Sequence, residues 1–392
     1  MPPRLSDKLD LFLRSVPDHR RSCKGHFKHK LYDMLLLTVA GRISGCVTRK
    51  DIVEYGCAHL EELRDAYGIL DNGCPSEPTL HRMEKQIDCK EFERLYSEFA
   101  TSLVNDGVPE CGEGRRVVAI DGKYMRGTLL ANGRSPDIVS LYDADSGIAL
   151  GTEMCEEKSN EIKATPKLLE RVPLPKNAVV TGDAMNCQAD IIKLIRQGGA
   201  DYFIALKANQ KAARWSVEDE LPGMTADDEY HSEPECGHGR IHERTCRMYN
   251  KLGAIKGLGK FLGIRAVVEI CTHTTVKSTG QELSETRYYI TSMDGSAELY
   301  DSVSRKHWGI ENNLHWEIDT LQRQDATKRK DKTTARNLDT IQKTVHAIFA
   351  YSAGRRLPEV IARNKEKLKT KFMSLRRMAM HSISFTFAMM AL

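Results

Sequence analysis

Two aspartates in this sequence each follow an apolar run rich in β-branched residues. Asp121 ends the run VVAID, and Asp183 ends the run AVVTGD. Such runs predict buried strands, and α/β sheets place ligands at the carboxyl edge of their strands. Carboxylate oxygens suit Mg2+, and a pair of such ions stabilises the attacking and leaving oxygens of phosphoryl transfer. The two aspartates therefore predict a metal-dependent phosphoryl-transfer site, although each taken singly would be an ordinary cap or turn residue.

A third acid is expected from a helix further along the chain. We choose Glu311, within HWGIENNLHW, and Glu317 and Asp319 compete for the role. On a regular helix His307, Glu311 and His315 fall four residues apart and share one face. The two histidines would lie roughly 12 Å apart along that helix, which is too far to bind one zinc ion.

Two tryptophans flank the same segment. Trp308 and Trp316 occupy a stripe beside that polar face. Core packing is the commonest fate of helix aromatics, and the alternative is stacking on an extruded base. The sequence leaves both interpretations open.

The elements around the aspartates follow a recognisable order. Three strands come first, then a helix, a strand, a helix and a strand: 117–121, 138–143, 148–155, 165–171, 178–184, 189–200 and 201–207. Antiparallel-type strands followed by alternating helix and strand predict an α/β fold. The expected architecture is a ribonuclease-H-like mixed sheet with helices on both faces, interrupted by a β-rich insertion and preceded by an N-terminal helical domain.

Composition shifts divide the chain into four parts. We expect a helical domain at 1–104, the first part of the catalytic domain at 105–214, the β-rich insertion at 215–300 and a helical completion at 301–392. The helical domain includes PSEPTLHRM, where His81, Arg82 and Lys85 could begin a DNA-contacting helix or an ordinary surface helix. In the last part, Leu338, Ile341, Val345 and Ile348 predict one apolar helix face.

The charge distribution is uneven, although the net charge is only +4. Residues 305–377 carry 18 Lys or Arg against 8 Asp or Glu, which leaves the rest of the chain mildly acidic. Such a basic region is typical of phosphate binding, and a solvated helical surface would look similar. No apolar run approaches the roughly 18 residues of a membrane span, so we expect no membrane association.

Eleven cysteines occur singly, without a CxxC pair, which fits a reducing cytoplasm. The tightest group of cysteines and histidines is Cys236, His238, His242 and Cys246. Its spacing superficially offers four zinc ligands, and the sequence alone does not decide whether they bind zinc.

Five blocks of sequence resemble the DDE transposases of bacterial insertion sequences, in the ISAs-type branch that includes H-repeat-associated proteins. The resemblance covers nearly the whole chain. The blocks are AIDGKYMRG (119–127), TGDAMNCQ (181–188), DYFIALKANQ (201–210), GHGRIHERT (237–245) and RKHWGIENNLHWEID (305–319).

The resemblance implies a metal-binding catalytic triad of Asp121, Asp183 and Glu311. It implies Mg2+, with Mn2+ as a substitute, and double-stranded DNA as the partner, both as terminal inverted repeats and as target. A homodimer assembled on DNA and a cytoplasmic, nucleoid-associated location follow from the same likeness. Inactive or immobile DNA-binding relatives, and nucleases that cut without joining, remain the alternatives.

Related transposases carry a Tyr-x2-Arg-x3-Glu-x6-Lys signature from which this sequence departs. The matching positions are Ser304, His307, Glu311 and Ile318, so the arginine and lysine are absent. Basic and aromatic side chains in and beside the five blocks are the expected DNA contacts: Lys123, Arg126, Lys207, Arg240, Arg305, Lys306, His307, Trp308 and Arg323.

We expect DNA affinity to fall steeply as salt concentration rises, because phosphate contacts release condensed counterions. If about six phosphates are contacted, the association constant should fall roughly 10³-fold between 50 and 200 mM salt. Fluorescence anisotropy of a labelled duplex measures this dependence. A flat response over that range would contradict the phosphate contacts assigned to 305–377.

Overall fold

Ten strands form one mixed sheet, ordered β3-β2-β1-β4-β5-β10-β9-β8-β6, with β7 paired to β8. The strands are β1 Arg116–Tyr124, β2 Asp137–Asp143, β3 Ile148–Met154, β4 Ala178–Gly182, β5 Asp201–Leu206, β6 Asp228–His231, β7 Glu235–Gly237, β8 Arg240–Tyr249, β9 Ala266–Val276 and β10 Glu282–Thr291. β1, β4 and β5 are parallel, and β2 and β3 are antiparallel. This is the expected ribonuclease-H-like arrangement.

The computed structural model describes residues 4–20, 27–105, 114–130, 132–155, 161–237, 239–326, 328–354 and 371–392. The helices are α1 Leu5–Ser15, α2 Leu31–Ile43, α3 Arg49–Ala58, α4 Leu60–Tyr67, α5 Glu77–Gln86, α6 Cys89–Val104, α7 Glu161–Arg171, α8 Ala189–Gln197, α9 Lys211–Glu220, α10 Ala297–His307, α11 Trp316–Thr320, α12 Lys332–Gly354, α13 Lys371–His381 and α14 Ile383–Met390. None of the helices in these ranges is long and apolar enough to cross a bilayer.

Contacts divide the chain into two compact units. The first unit comprises Met1–Pro109, Lys123–Glu157 and Glu311–Leu392, and the second comprises Glu110–Gly122 and Lys158–Ile310. Part of the polar segment 105–116 and part of the basic segment 305–377 lie outside the described residues.

In the first unit, aromatic packing joins the N-terminal helices. Phe12 of α1 stacks on Phe92 and Phe99 of α6, with ring centroids 5.6 and 5.1 Å apart. Tyr96 of α6 donates a hydrogen bond of 2.6 Å to the carbonyl of Ala149 in β3. These contacts attach the predicted helical region to the edge strands of the sheet.

The long helix α12 is buried around its whole circumference from residue 334 to residue 352. The predicted apolar face, which includes Leu338 and Val345, is present. The opposite face is polar, and Asp339 on it accepts hydrogen bonds from Lys343 at 2.7 Å and from Gln324 at 3.0 Å. A single apolar face was therefore an incomplete prediction for this helix.

In the second unit, the β-rich insertion continues the sheet. β10 pairs with β5 in antiparallel register, placing Ile290 opposite Ile204. Phe203 of β5 stacks on Tyr289 of β10 and on Tyr300 of α10, with ring centroids 4.6 and 5.9 Å apart. This aromatic stack fixes α10 on one face of the central strands.

We expect Arg336→Met to lower the free energy of unfolding of the first unit by about 3–5 kcal/mol, because it deprives a buried carboxylate of its ion-pair partner. Arg336 of α12 donates to Glu93 of α6 at 2.6 Å, and both side chains are buried. Urea denaturation followed by tryptophan fluorescence and circular dichroism measures the loss.

The matched control is Arg94→Met, which removes the arginine next to Glu93 on α6 from its solvent-exposed pairs with Glu91 and Glu98. An exposed pair contributes only about 0–1 kcal/mol, so this variant should unfold close to the wild type. Equal losses in the two variants would mean that the buried pair has no special role in stability.

Candidate active site

Asp121 and Asp183 lie side by side in the second unit. β1 and β4 pair in parallel with Ile120 opposite Gly182, so the next residue on each strand is one of the two aspartates. Neighbouring strands are about 4.8 Å apart, and parallel strands end at the same edge of the sheet. The structure therefore brings together the two carboxylates that the sequence predicted to meet.

A tight turn after β4 holds the carboxylate of Asp183. Its Oδ1 accepts hydrogen bonds from the Met185 amide at 2.9 Å and from Asn186 Nδ2 at 3.3 Å. Asn186 is itself fixed, because its Oδ1 accepts a bond of 3.0 Å from the buried Thr165 hydroxyl of α7. Asp183 Oδ2 has no hydrogen bond in the part of the chain that the structure describes.

His307 lies at the same edge of the sheet, at the C-terminus of α10. Its Nδ1 and the Thr181 hydroxyl of β4 are joined by a hydrogen bond of 3.0 Å. Burial lowers the pKa of His307 below its ordinary value, and the nearby carboxylates of Asp121 and Asp183 oppose that shift. His307 is therefore a group of the aspartate edge, at the position where related transposases carry arginine.

Glu311 does not lie on a regular α-helix. α10 ends at His307, and a π-helical turn follows at Ile310–His315 before α11 begins at Trp316. The regular helix from which His307, Glu311 and His315 were predicted to share one face is therefore interrupted, because the π turn closes i to i+5 bonds. Glu311 is exposed and is the first residue of this segment of the first unit.

The two acids that competed with Glu311 each lie beside a basic side chain inside the first unit. Glu317 is buried, with its Oε2 3.1 Å from Nε2 of buried His346. Asp319 pairs with Lys123, whose Nζ also donates to Gln324 at 2.6 Å. Burial raises the pKa of Asp319, and Lys123 opposes that shift.

The chemistry of the donor set suits a hard divalent cation. Both strand-end groups are carboxylates, and Asp183 keeps one oxygen outside its turn. Within the described ranges, no three His, Cys, Asp or Glu side chains are grouped closely enough to hold a metal ion. The aspartate pair thus provides part of an oxygen ligand set that a third carboxylate would complete.

The predicted DNA contacts occupy different environments in the two units. Lys207 directly follows β5 at the carboxyl edge, and Arg126, Arg240 and Lys207 are exposed. Arg305 pairs with Glu235, and Arg287 lies over the half-buried Trp308 ring at 5.2 Å. In the remaining positions, Lys306 is half-buried and Arg323 has a left-handed backbone with φ of 51°.

The cysteine and histidine group does not form a zinc site in this fold. His242 and Cys246 both belong to β8, four residues apart, so they are separated by about 13 Å along the strand. Cys246 is buried, whereas Cys236 is exposed on β7, and His238 lies outside the described residues. One zinc ion cannot reach both His242 and Cys246.

Sequence reasoning missed Thr181 and Asn186, which fix His307 and Asp183. Both are polar residues within or directly after an apolar strand, and both are at most 1% exposed. Buried polar side chains require partners, so their position in AVVTGDAMN was a usable signal.

Comparisons with known families and proteins give a consistent result. The family described as "Transposase DDE domain" matches residues 112–345, and the one described as "DDE_Tnp_1-associated" matches residues 11–100. The chain is 33% identical to "Putative transposase YncI" of Escherichia coli O157:H7, covering 85% of this chain and 84% of that protein. It is 31% identical to "H repeat-associated putative transposase YhhI" of Escherichia coli K12, covering 82% and 84%.

A solved structure titled as a piggyBac transposase synaptic complex with hairpin DNA is similar at a TM-score of 0.46 and 10% sequence identity. That similarity covers 94% of this chain and 75% of that one.

We expect Asn186→Leu, which keeps the side-chain size, to lower the free energy of unfolding by about 1–3 kcal/mol. The substitution leaves the buried Thr165 hydroxyl without its acceptor and removes one donor to Asp183. Gln188→Leu is the control, since the half-exposed Gln188 makes a bond of 3.3 Å to the Met185 carbonyl. Equal effects in chemical denaturation would contradict the positioning role of Asn186.

Proposed function

Because the chain belongs to the transposase DDE domain family, we propose that it is a DNA transposase that cuts DNA at insertion-sequence ends and joins them to target DNA. The observation that carries the proposal is the parallel register of β1 and β4, which puts Asp121 beside Asp183. Similarity over most of the chain to proteins named transposases supports it.

In this proposal Asp121, Asp183 and Glu311 hold Mg2+, and Mn2+ can replace it. The bound ions would supply charge neutralisation and activation of oxygen nucleophiles at the scissile phosphate. Glu311 is preferred as the third carboxylate because it is exposed, whereas Glu317 is buried and Asp319 is half-buried.

The protein's own groups position the reactants in this proposal, and no covalent enzyme intermediate is required. The turn that binds Asp183 Oδ1 fixes the direction of its other oxygen. The hydrogen bond between Thr181 and His307 places an imidazole at the same edge of the sheet. Exposed Lys207, at the end of β5, would attract a phosphate there.

Joining two element ends requires two active sites, so we propose a homodimer assembled on DNA. Terminal inverted repeats and target DNA would both be bound through phosphate contacts, including those of the basic segment 305–377. The nucleoid is the location where such a protein would act.

Labelled DNA carrying the gene's own flanking ends tests the activity, with Mg2+ or EDTA, for the wild type and for Asp121→Asn, Asp183→Ala and Glu311→Gln. We expect each variant to lose roughly 10²–10³-fold or more in cleavage and strand transfer while keeping DNA binding, because charge stabilisation at the reacting phosphate is lost.

The matched control is Asp190→Asn, which neutralises an exposed acid in the first turn of α8 in the same unit. This variant should cut and join like the wild type. A fully active Asp183→Ala would refute the site. Cleavage without joined products would favour a nuclease, and tight binding without cleavage would favour an inactive relative.

A further inference from the structure

A cavity of about 410 Å³ lies within the first unit, on the N-terminal helices and far along the chain from either aspartate. Its lining residues come from three places: residues 20 and 27–29 before α2, residue 34 in α2, and residues between 74 and 86, which lead into α5 and form it. Small-molecule sites have volumes of about 300–1,000 Å³ and are mostly apolar with a few placed polar groups. The volume of this cavity falls in that range.

The charge of the cavity lining is one-sided. Arg20, Lys28 and Arg82 line it, and no aspartate or glutamate among the described residues does. Arg20 is held in place, because it pairs with Asp18, donates 2.9 Å to the His29 carbonyl and lies 4.2 Å over the Phe27 ring. Since Asp18 offsets the charge of Arg20, Lys28 and Arg82 are the cations that would attract an anionic group.

His29 is the buried polar side chain that faces this cavity. It is 7% exposed, and its ring nitrogens form no hydrogen bond with any residue that the structure describes. Burial lowers the pKa of His29, as do the nearby charges of Lys28 and Arg20, while Asp33 opposes them. The ring nitrogens are therefore open to a ligand in the cavity, which could hydrogen-bond to them.

The inner wall is apolar, and the rim is polar. Met34 and Met83 are buried beneath this wall, and the exposed ring of Phe27 offers its surface to a ligand. Gln86 and Ser76 are exposed at the opening. Aromatic rings stack on one another, and an amide can bond to the edge of a base. The cavity therefore combines a surface for a planar ring with a cationic rim for a phosphate.

We propose that this cavity binds one nucleotide of a DNA strand, with the phosphate at Lys28 and Arg82 and the base against the exposed ring of Phe27. His29 and Gln86 bond to the edge of that base. The inference rests on the proposed function only in that the strand belongs to the DNA on which the protein acts. It assigns a DNA-contacting role to the region that matches the DDE_Tnp_1-associated family.

The test uses the full chain and a labelled duplex with the gene's flanking ends, measured by fluorescence anisotropy at several salt concentrations. Arg82→Ala should weaken binding about tenfold, as the loss of one charge-assisted contact does. It should also reduce the slope of log affinity against log salt by about one.

The matched control is Lys90→Ala, which removes one positive charge from the neighbouring helix α6 at an exposed residue outside the cavity lining. It should change the affinity much less. If Lys90→Ala weakens binding as much as Arg82→Ala does, the cavity is not the phosphate site and the proposal is overturned.

A second arm tests the base without changing the charge of the lining. Gln86→Trp fills the opening of the cavity, and Leu11→Trp adds the same ring at an exposed position of α1 in the same unit, outside the lining. Only Gln86→Trp should weaken binding. Placing an abasic site at each position of the duplex in turn should weaken binding to the wild type at one position. At that position it should not weaken binding to Gln86→Trp any further.

Competition separates the chemical sources of the bound anion. A deoxynucleoside monophosphate should displace the duplex at a concentration at least tenfold lower than inorganic phosphate. Equal potency would overturn the base contact, and thermal unfolding of every variant checks that all are folded.

The two proposals fail separately. If the wild type binds DNA through the cavity but neither cuts nor joins it, the transposase function is refuted and the nucleotide site stands. Cutting and joining that are equally active in Arg82→Ala and Gln86→Trp, with unchanged affinity, would refute the nucleotide site alone.

Discussion

The parallel pairing of β1 with β4 is the constraint on which the candidate site depends. A slip of one residue in a strand moves every side chain to the other face of the sheet. The register that places Ile120 opposite Gly182 therefore decides whether Asp121 and Asp183 face each other. The buried apolar residues of both strands hold this register. A slipped strand would bring the polar residues that follow it into their buried positions.

The helical completion of the chain depends on a different interaction, the buried polar network on α12. Asp339 connects Lys343 of the same helix to Gln324, which in turn binds Lys123 at the end of β1. Buried networks of this kind are costly unless every member is satisfied, and they then favour a single arrangement. In this unit the network fixes the segment that follows Glu311. In the second unit, α10 is fixed by aromatic packing and His307 by its hydrogen bond with Thr181.

Much of the fold and the aspartate pair could be predicted because their signals are local. Apolar β-branched runs indicated the strands, and an acid at the end of each run indicated the edge. The π-helical turn at Ile310–His315 could not be predicted, since its hydrogen bonds depend on tertiary fit rather than on residue spacing. The buried polar face of α12 was missed for a similar reason, because Asp339 and Lys343 resemble exposed residues until their partners are known.

The β-rich insertion looked like a separable module in sequence, yet its last strand pairs with the core strand β5. An evolutionary loss of the insertion would therefore uncover the backbone amides and carbonyls of β5, which is the kind of open edge that recruits strands from other molecules. Natural trimming of this family by simple deletion would be opposed by aggregation. The insertion thus serves as a protective border for the sheet, whatever its outer surface binds.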